Sequence, residues 1–216
     1  MRVWYILVVL LNVISCGDDG PNCPGNISLP LWVSPYKPYY SIGDTIIISS
    51  RFHKLIYDSK TEKYYDASTY KFSPTVSIEY IDSANIPFKG SQIENIADYM
   101  KEDNSGMNYL RVENRSSIAG EYGLRQDTIN FSIRLRLKVP GAFWISTSSL
   151  SSGDSHLQNN FYFGCRGRQI TFYLMSPKES NIYLMQNLRS IYPNDYILSD
   201  SIHRFYNRAG YCFEVR

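Results

Sequence analysis

Seven residues in the middle of the chain set the strongest limit on its fold. From Ile133 to Val139 the sequence IRLRLKV places an apolar residue at every second position and a basic residue between each pair. Because side chains alternate between the two faces of a β-strand, this spacing buries one face and leaves the cations in water. Pro140 and Gly141 then end the run. The pattern predicts a strand whose sheet has one face on a core.

Other short runs of β-branched and aromatic residues extend this prediction to most of the chain. They lie at 45–48, 75–80, 142–145, 161–163, 170–174 and 211–215. Nineteen tyrosines and ten phenylalanines agree with it, because aromatic side chains pack well on a pleated surface. Two hairpins are predicted, one joining 55–57 to 63–65 and one joining Phe163 to Ile170. We expect a mainly β fold, an antiparallel β-sandwich.

Helical spacing is confined to two places. Ser91 and Glu94 form a capping-box pattern, and the apolar residues that follow it at helical spacing are Ile93, Ile96, Ala97 and Met100. Near the end of the chain, Asp200 is placed to cap a turn that carries Ile202 and Phe205. We therefore expect one or two short helices as accessories to the sheets.

The first residues have the layout of an export signal. An apolar run at 3–14 follows the single charge of Arg2 and is too short to span a bilayer. It ends at Cys16 in the stretch NVISC, which resembles the lipobox of bacterial lipoproteins. In that family the cysteine is diacylated and becomes the new N-terminus. Ile14 and Ser15 depart from the commoner pair of small residues.

This resemblance implies a signal peptide at residues 1–15 and lipidation of Cys16, which makes the membrane a partner through the acyl chains. Two alternatives stay open: an ordinary signal peptide with an incidental cysteine, and an uncleaved anchor. The following stretch at 17–28, GDDGPNCPGNIS, has three glycines, two prolines and no apolar periodicity. We predict the lipidated cysteine and a flexible tether at 16–28, then a single domain at 29–216.

Further features resemble lipoproteins of the Bacteroidota. The pair Asp18–Asp19 is similar to the export tag of some of their surface proteins, although a solvated acidic linker would have the same composition. The stretch YSIGDTIII at 40–48 resembles the turn into the second strand of Ig-like domains. With the Tyr-rich segment at 55–66 and the closing GYCFEV at 210–215, the layout resembles uncharacterised exported lipoproteins. This implies a cell-envelope protein, with the outer membrane as the expected site, the orientation left open and no reaction implied.

Charge and motifs exclude several classes of function. The 22 basic and 20 acidic residues nearly cancel, so nothing predicts nucleic-acid binding. We find no phosphate-binding glycine loop, dinucleotide fingerprint or zinc-ligand spacing, and therefore expect no cofactor and no metal. The histidines, His53, His156 and His203, are isolated in sequence, and Asp154, Ser155 and His156 are adjacent residues of a serine-rich loop, which seldom form a triad. No catalytic residue is assigned, and we expect no enzymatic activity.

The remaining cysteines bear on a disulfide. With Cys16 acylated, the other three permit at most one pair in an oxidising compartment. We predict Cys165 with Cys212, because both lie at strand or hairpin edges, whereas Cys23 lies in the tether. The alternative is three reduced thiols.

The aromatic residues suggest a ligand, since exposed Tyr and Trp faces can stack on sugars. The predicted ligand-contacting residues are Trp32, Tyr36, Tyr39, Tyr40, Tyr64 and Tyr65. The alternative is that they serve as core residues or cross-strand pairs. Our leading hypothesis is a lipid-anchored, non-catalytic envelope module that binds a glycan or another envelope protein. The other hypotheses are a lipid-anchored hydrolase with a dispersed active site and an envelope assembly or immunity partner.

Overall fold

A computed structural model gives the fold of residues 23–81, 92–113, 116–149, 169–175, 180–187 and 199–216. These described residues form fourteen strands and three short helices. The strands are β1 (Ile27–Ser34), β2 (Tyr39–Tyr40), β3 (Thr45–His53), β4 (Leu55–Asp58), β5 (Lys63–Asp66), β6 (Pro74–Tyr80), β7 (Ala97–Lys101), β8 (Leu110–Glu113), β9 (Ser117–Gly120), β10 (Gly123–Arg125), β11 (Thr128–Leu137), β12 (Gly141–Ser149), β13 (Ile170–Leu174) and β14 (Tyr211–Val215). The helices are α1 (Ile93–Ile96), α2 (Tyr183–Gln186) and the π-helical turn α3 (Ile202–Tyr206).

Two sheets account for most of the strands. The first has the order β10-β11-β3-β1-β13, with β7 also paired to β11, and the second has the order β2-β14-β12-β6-β9-β8. Most neighbours are antiparallel, so the mainly β sandwich predicted from the sequence is confirmed. The sheets are mixed, because β1 pairs with β13 and β2 pairs with β14 in parallel. These partners are distant in sequence, so no hairpin turn fixes their relative direction.

The core lies between the two sheets. On β11, Ile133 and Leu135 are fully buried while Arg134 and Arg136 are exposed, as the alternating sequence predicts. Ile133 and Leu135 belong to one hydrophobic cluster with Ile78 of β6 and with other residues of the second sheet. Burying each such aliphatic side chain contributes about 1.5–3 kcal/mol. The alternation therefore directs the strand's apolar side into the sandwich.

Helices α2 and α3 cover the back of the second sheet. Trp144 of β12 pairs with Cys212 of β14, and both form a second buried cluster with Met185 of α2 and Phe205 of α3. The residues directly before and after Trp144 and Cys212 in the sequence belong to the main core. Because successive side chains point to opposite faces, both faces of this part of the sheet are buried. The helices are accessories to the sheets, as predicted, and α2 and α3 enclose the back of β12 and β14.

The first predicted helix is shorter than its sequence pattern indicates. Helix α1 ends at Ile96, and the chain continues directly into β7, in which Met100 pairs with Arg134. Pairing with the long strand β11 overrides the weak helical spacing, because propensity is a small term beside tertiary contacts. Ser91 lies outside the described residues. At the second place, the Asp200 carboxylate accepts a hydrogen bond from the His203 N–H at 3.3 Å, as expected of a cap.

The hairpin of β4 and β5 is confirmed, with Tyr57 paired to Tyr64. The predicted strand at 161–163 and the first arm of the second hairpin, at Phe163, lie outside the described residues. The second arm is β13, whose partner in the first sheet is β1.

Contacts to the β4–β5 hairpin hold the segment that precedes β1. Strand β1 begins at Ile27, two residues before the predicted domain start at Leu29. Before it, the Gly25 N–H donates a hydrogen bond of 2.7 Å to the Asp58 carboxylate, and Cys23 is buried and disulfide-bonded. The folded part therefore includes Cys23, because these contacts fix the chain ahead of its first strand.

Asp58 joins this entry segment to the β4–β5 hairpin. Its carboxylate also accepts hydrogen bonds from the Thr61 N–H at 2.8 Å and the Thr61 hydroxyl at 2.6 Å. Burial alone would raise the pKa of Asp58, but the hydrogen bonds from Thr61 and Gly25 outweigh it and lower the pKa. The ionised form of Asp58 therefore stabilises the fold.

We expect Asp58→Asn to lower the free energy of unfolding by about 2 kcal/mol at pH 7, because hydrogen bonds to a charged group are lost. A pKa that is lower in the folded state contributes stability above the unfolded pKa, and that contribution is lost as pH falls through the folded pKa. Urea unfolding at pH 7, 5 and 3 should therefore show the wild type and the variant converging with acid. The exposed Asp103→Asn serves as control, with a change within about 0.5 kcal/mol. A constant difference between wild type and Asp58→Asn across this range would contradict the assignment.

Candidate functional site

A groove of about 530 Å³ lies on the outer face of the first sheet, and we call it the Trp32 groove. Its lining residues are Trp32, Ser49, Ser50, Arg51, Glu102, Asp103, Asn104, Ser105, Asn130, Phe131 and Ser132. They come from β1, β3, β11 and the turn that follows β7. The groove therefore forms only when four separate parts of the chain come together.

Trp32 contributes the aromatic surface of the groove. It is half-buried on β1, between the fully or nearly fully buried Leu31 and Val33, so its side chain faces away from the core. Across the sheet it pairs with Ser49, and Ser49 pairs in turn with Ser132. An indole thus stands beside two hydroxyl groups on one row of the sheet.

The turn at 102–105 forms a wall of the groove. The Ser105 N–H donates to the Glu102 carbonyl at 3.0 Å, and Asn104 has a left-handed φ of 69°. The Glu102 carboxylate accepts a hydrogen bond from the Ser132 hydroxyl at 2.6 Å and one from Arg134 Nη2 at 3.2 Å. These contacts hold the turn against β11, so the wall is fixed to the sheet that forms the floor.

Arg51 and Asn130 add polar groups to the same groove. They are paired across β3 and β11, and Arg51 is exposed. A guanidinium offers up to five N–H donors, and an amide offers both donors and an acceptor. Aromatic area with a few convergent polar groups is the usual composition of a small-ligand site. The groove is suited to a ligand that has a flat apolar face and several hydroxyl groups.

The three early tyrosines of the predicted set do not line this groove. Tyr40 is 2% exposed, and its hydroxyl lies 3.1 Å from that of Tyr211. The Tyr36 ring packs on the Tyr211 ring with centroids 5.1 Å apart. Burial raises the pKa of both the Tyr40 and Tyr211 hydroxyls. The prediction that Tyr40 contacts a ligand is wrong, because its side chain belongs to the core, whereas Tyr39 is exposed beneath the Arg216 guanidinium at 4.0 Å.

The hairpin tyrosines also lie outside the Trp32 groove. Tyr64 is 69% exposed, and its ring packs beside that of Tyr57 with centroids 5.2 Å apart. Tyr65 points to the other face, where it is buried and its hydroxyl donates to Thr61 at 2.9 Å. The ligand prediction for Tyr65 is therefore wrong. Of the six predicted aromatic residues, Trp32 is the one that the fold places in the groove.

The predicted disulfide is wrong with respect to Cys212. Cys212 is a free, fully buried thiol on the back of the second sheet, and burial raises its pKa. Cys23, which was predicted to lie unpaired in the tether, is disulfide-bonded. Its partner lies outside the described residues, as do the other two cysteines of the chain, Cys16 and Cys165. Cys212 is inaccessible to a partner because α2 and α3 cover it.

The described histidines are not gathered in one place. His53 accepts a hydrogen bond from the Leu55 N–H at 3.0 Å, and His203 lies on α3 beside Asn207. His156 lies outside the described residues. Within the described part of the chain, no group of three or more His, Cys, Asp or Glu residues is placed to hold a metal ion. The same part contains no helix long and apolar enough to cross a bilayer.

Comparison with known proteins reveals likeness of fold alone. No family model and no curated protein matches the chain. The human F-spondin reeler domain matches with a TM-score of 0.33 and 11% identity, over 59% of this chain and 78% of that one. The second type II cohesin module of the ScaA scaffoldin from Acetivibrio cellulolyticus matches with a TM-score of 0.34 and 6% identity, over 71% and 95%. The pilus 2b backbone protein of group B streptococcus matches with a TM-score of 0.25 and 16% identity, over 57% and 53%. At these scores the matches support no inference about function.

Proposed function

We propose that this protein is a lipid-anchored, non-catalytic module of a bacterial cell envelope that binds a glycan in the Trp32 groove. The observation that supports binding is the position of Trp32 beside Ser49, Arg51 and Asn130 on one outer sheet face. A pyranose presents C–H groups on its face, which pack on an aromatic ring, and hydroxyl groups at its edge, which hydrogen-bond to polar side chains. Both kinds of contact are available in this groove.

The disulfide of Cys23 supports an extracytoplasmic location, since disulfides persist in oxidising compartments. If Cys16 carries lipid, its sulfur is unavailable and the partner of Cys23 is Cys165. The order of the residues in the chain supports this pairing, because Ile27, four residues after Cys23, pairs with Ile170, five residues after Cys165 in the sequence. Lipidation and the disulfide are therefore linked in this proposal.

The short distance along the chain limits where the domain can lie. Cys23 follows Cys16 by seven residues, which span at most about 25 Å when fully extended. Because the disulfide fixes Cys23 to the domain, these seven residues are all that would separate the domain from the anchor. The domain would thus stay close to the headgroups of its membrane.

Binding is tested with the mature protein in detergent, by calorimetry against cello-, xylo-, malto- and manno-oligosaccharides. We expect one of these classes to bind and Trp32→Ala to weaken that binding at least tenfold, as a loss of about 1.4 kcal/mol of stacking would. Tyr64→Ala removes an aromatic ring that is more exposed but lies outside the groove, and it should leave affinity unchanged. Equal affinity of wild type and Trp32→Ala, or no binding by any class, would overturn the proposal.

A lipid-anchored hydrolase is the second candidate function, because Glu102 and Asp103 both line the groove. Glycoside hydrolysis uses two carboxyl groups on either side of the scissile bond. The Glu102 carboxylate is held by Ser132 and Arg134, which favours a structural role. Release of reducing sugar by the wild type, abolished in both Glu102→Gln and Asp103→Asn, would establish catalysis and replace the binding proposal.

A further inference from the structure

A second cavity, of about 620 Å³, lies between β13, α2 and α3, and we call it the tyrosine cavity. Its aromatic lining is formed by Tyr173, Tyr183 and Tyr206, each more than a third exposed. No residue is shared with the Trp32 groove. Its volume is within the range of about 300–1,000 Å³ that is usual for small-molecule sites.

The described residues that line this cavity differ in charge from those of the Trp32 groove. The described residues that line it include no Asp, Glu, Lys, Arg or His. Its polar side chains are the amides of Asn181 and Asn207, the Ser180 hydroxyl and the tyrosine hydroxyls. A neutral ligand fits this lining, because a charged one would lose its hydration without gaining an ionic partner.

Asn181 provides the observation that points to a ligand. The residue is only 5% exposed, and its Nδ2 is buried without a hydrogen-bond partner among the described residues. Its backbone is fixed, since its carbonyl accepts the Leu184 N–H at 3.0 Å as α2 begins. Buried polar groups are nearly always paired in native structures, so an unpaired amide donor on a residue that lines a cavity calls for an acceptor.

We propose that the tyrosine cavity binds an acetamido sugar, as a second site independent of the Trp32 groove. The acetamido carbonyl would accept the hydrogen bond of Asn181 Nδ2, and the pyranose face would pack on the tyrosine rings. The methyl group would contact the apolar wall formed by Leu174 and Ile182. An acetamido sugar is neutral, carries the required acceptor and has a flat apolar face, so it meets all three conditions.

The test is calorimetry of the mature protein with N,N′,N″-triacetylchitotriose, and with cellotriose, which has hydroxyl groups in place of the acetamido groups. We expect the acetylated trisaccharide to bind at least tenfold more tightly. Asn181→Asp keeps the shape of the side chain and replaces the donor by an acceptor, so it should weaken binding at least tenfold. Tyr206→Ala, a change at an exposed ring, should do the same without involving Asn181.

Trp32→Ala should leave binding of triacetylchitotriose unchanged, which separates this site from the Trp32 groove. Equal affinity of the Trp32→Ala variant for the two trisaccharides, absence of binding, or unchanged affinity in both Asn181→Asp and Tyr206→Ala would overturn the proposal. N-acetylalanine methylamide presents the same acetamido group on a peptide backbone. Tighter binding of this probe than of the trisaccharide would assign the cavity to peptides and would also overturn it.

Discussion

Gly123→Ala is expected to lower the free energy of unfolding by about 3 kcal/mol, the upper part of the range for overpacking. A Cβ atom on Gly123 would lie 1.2 Å from the carbonyl oxygen of Gly106 and 2.1 Å from its carbonyl carbon. Both are backbone atoms, so no change of rotamer can relieve the clash. Relief requires movement of β10 or of the chain that follows the 102–105 turn, and such movement would also disturb a wall of the Trp32 groove.

Urea unfolding measures this effect, and Gly43→Ala is the control. Gly43 has open space around its Cα but a φ of 90°, so alanine there introduces backbone strain without a clash. We expect a loss of about 1–2 kcal/mol at Gly43, smaller than at Gly123. If Gly123→Ala unfolds within about 0.5 kcal/mol of the wild type, the close approach of the two backbones is absent from the protein in solution.

Cys23→Ser is expected to lower the free energy of unfolding by about 4 kcal/mol, if the disulfide closes a loop of roughly 140 residues to Cys165. The bond limits the freedom of the unfolded chain, and a long loop gives a large effect. Reduction of the wild type should produce the same loss. The variant should not respond to reductant, because its disulfide is already absent.

Cys212→Ala is the matched control for Cys23→Ser. Its thiol is free and buried, so the change removes a small core atom and should leave the response to reductant intact. Unfolding curves in urea, recorded with and without reductant, distinguish these cases. A wild type whose stability does not change on reduction would contradict a structural disulfide at Cys23.

The strands could be predicted from the sequence because their signal is local. The alternation around Ile133 and Leu135 is contained within the strand, and the fold follows it. The helix predicted from Ile93 to Met100 ends early because its helical spacing is weak and because residues 97–101 pair along their whole length with β11. Local sequence patterns thus predicted the strands, whereas the structure of the segment that forms α1 and β7 depends on its pairing with β11.

The candidate site could be predicted only in part, for a related reason. Trp32 was identified as an aromatic residue, but its neighbours Arg51, Glu102 and Asn130 come from parts of the chain far apart in sequence. Their meeting depends on strand order and register, which composition does not reveal. The polar residues Asn130 and Ser132 extend the alternating pattern of Ile133 to Val139 toward the N-terminus. This alternation could have identified both residues as outward-facing.

The disulfide pairing, too, could not be predicted from the sequence, because it depends on which residues meet in the fold. Cys165 and Cys212 were paired because both lie near strand ends, a property that says nothing about which face each occupies. Cys212 faces the helices on the back of the second sheet, whereas Cys23 lies ahead of β1 in the first sheet. Pairing depends on the approach of Cα atoms in space, and sequence spacing does not supply it.

Peptide mapping by mass spectrometry, without reduction, tests the lipid-anchored module most directly. The protein would be extracted in detergent from cells that express the native gene, with Cys16→Ala as control. We predict an N-terminal peptide that begins at Cys16 and carries a diacylglyceryl group, together with a cross-linked pair of peptides that contains Cys23 and Cys165. A disulfide between Cys16 and Cys23, or a Cys16 without lipid, would contradict the account.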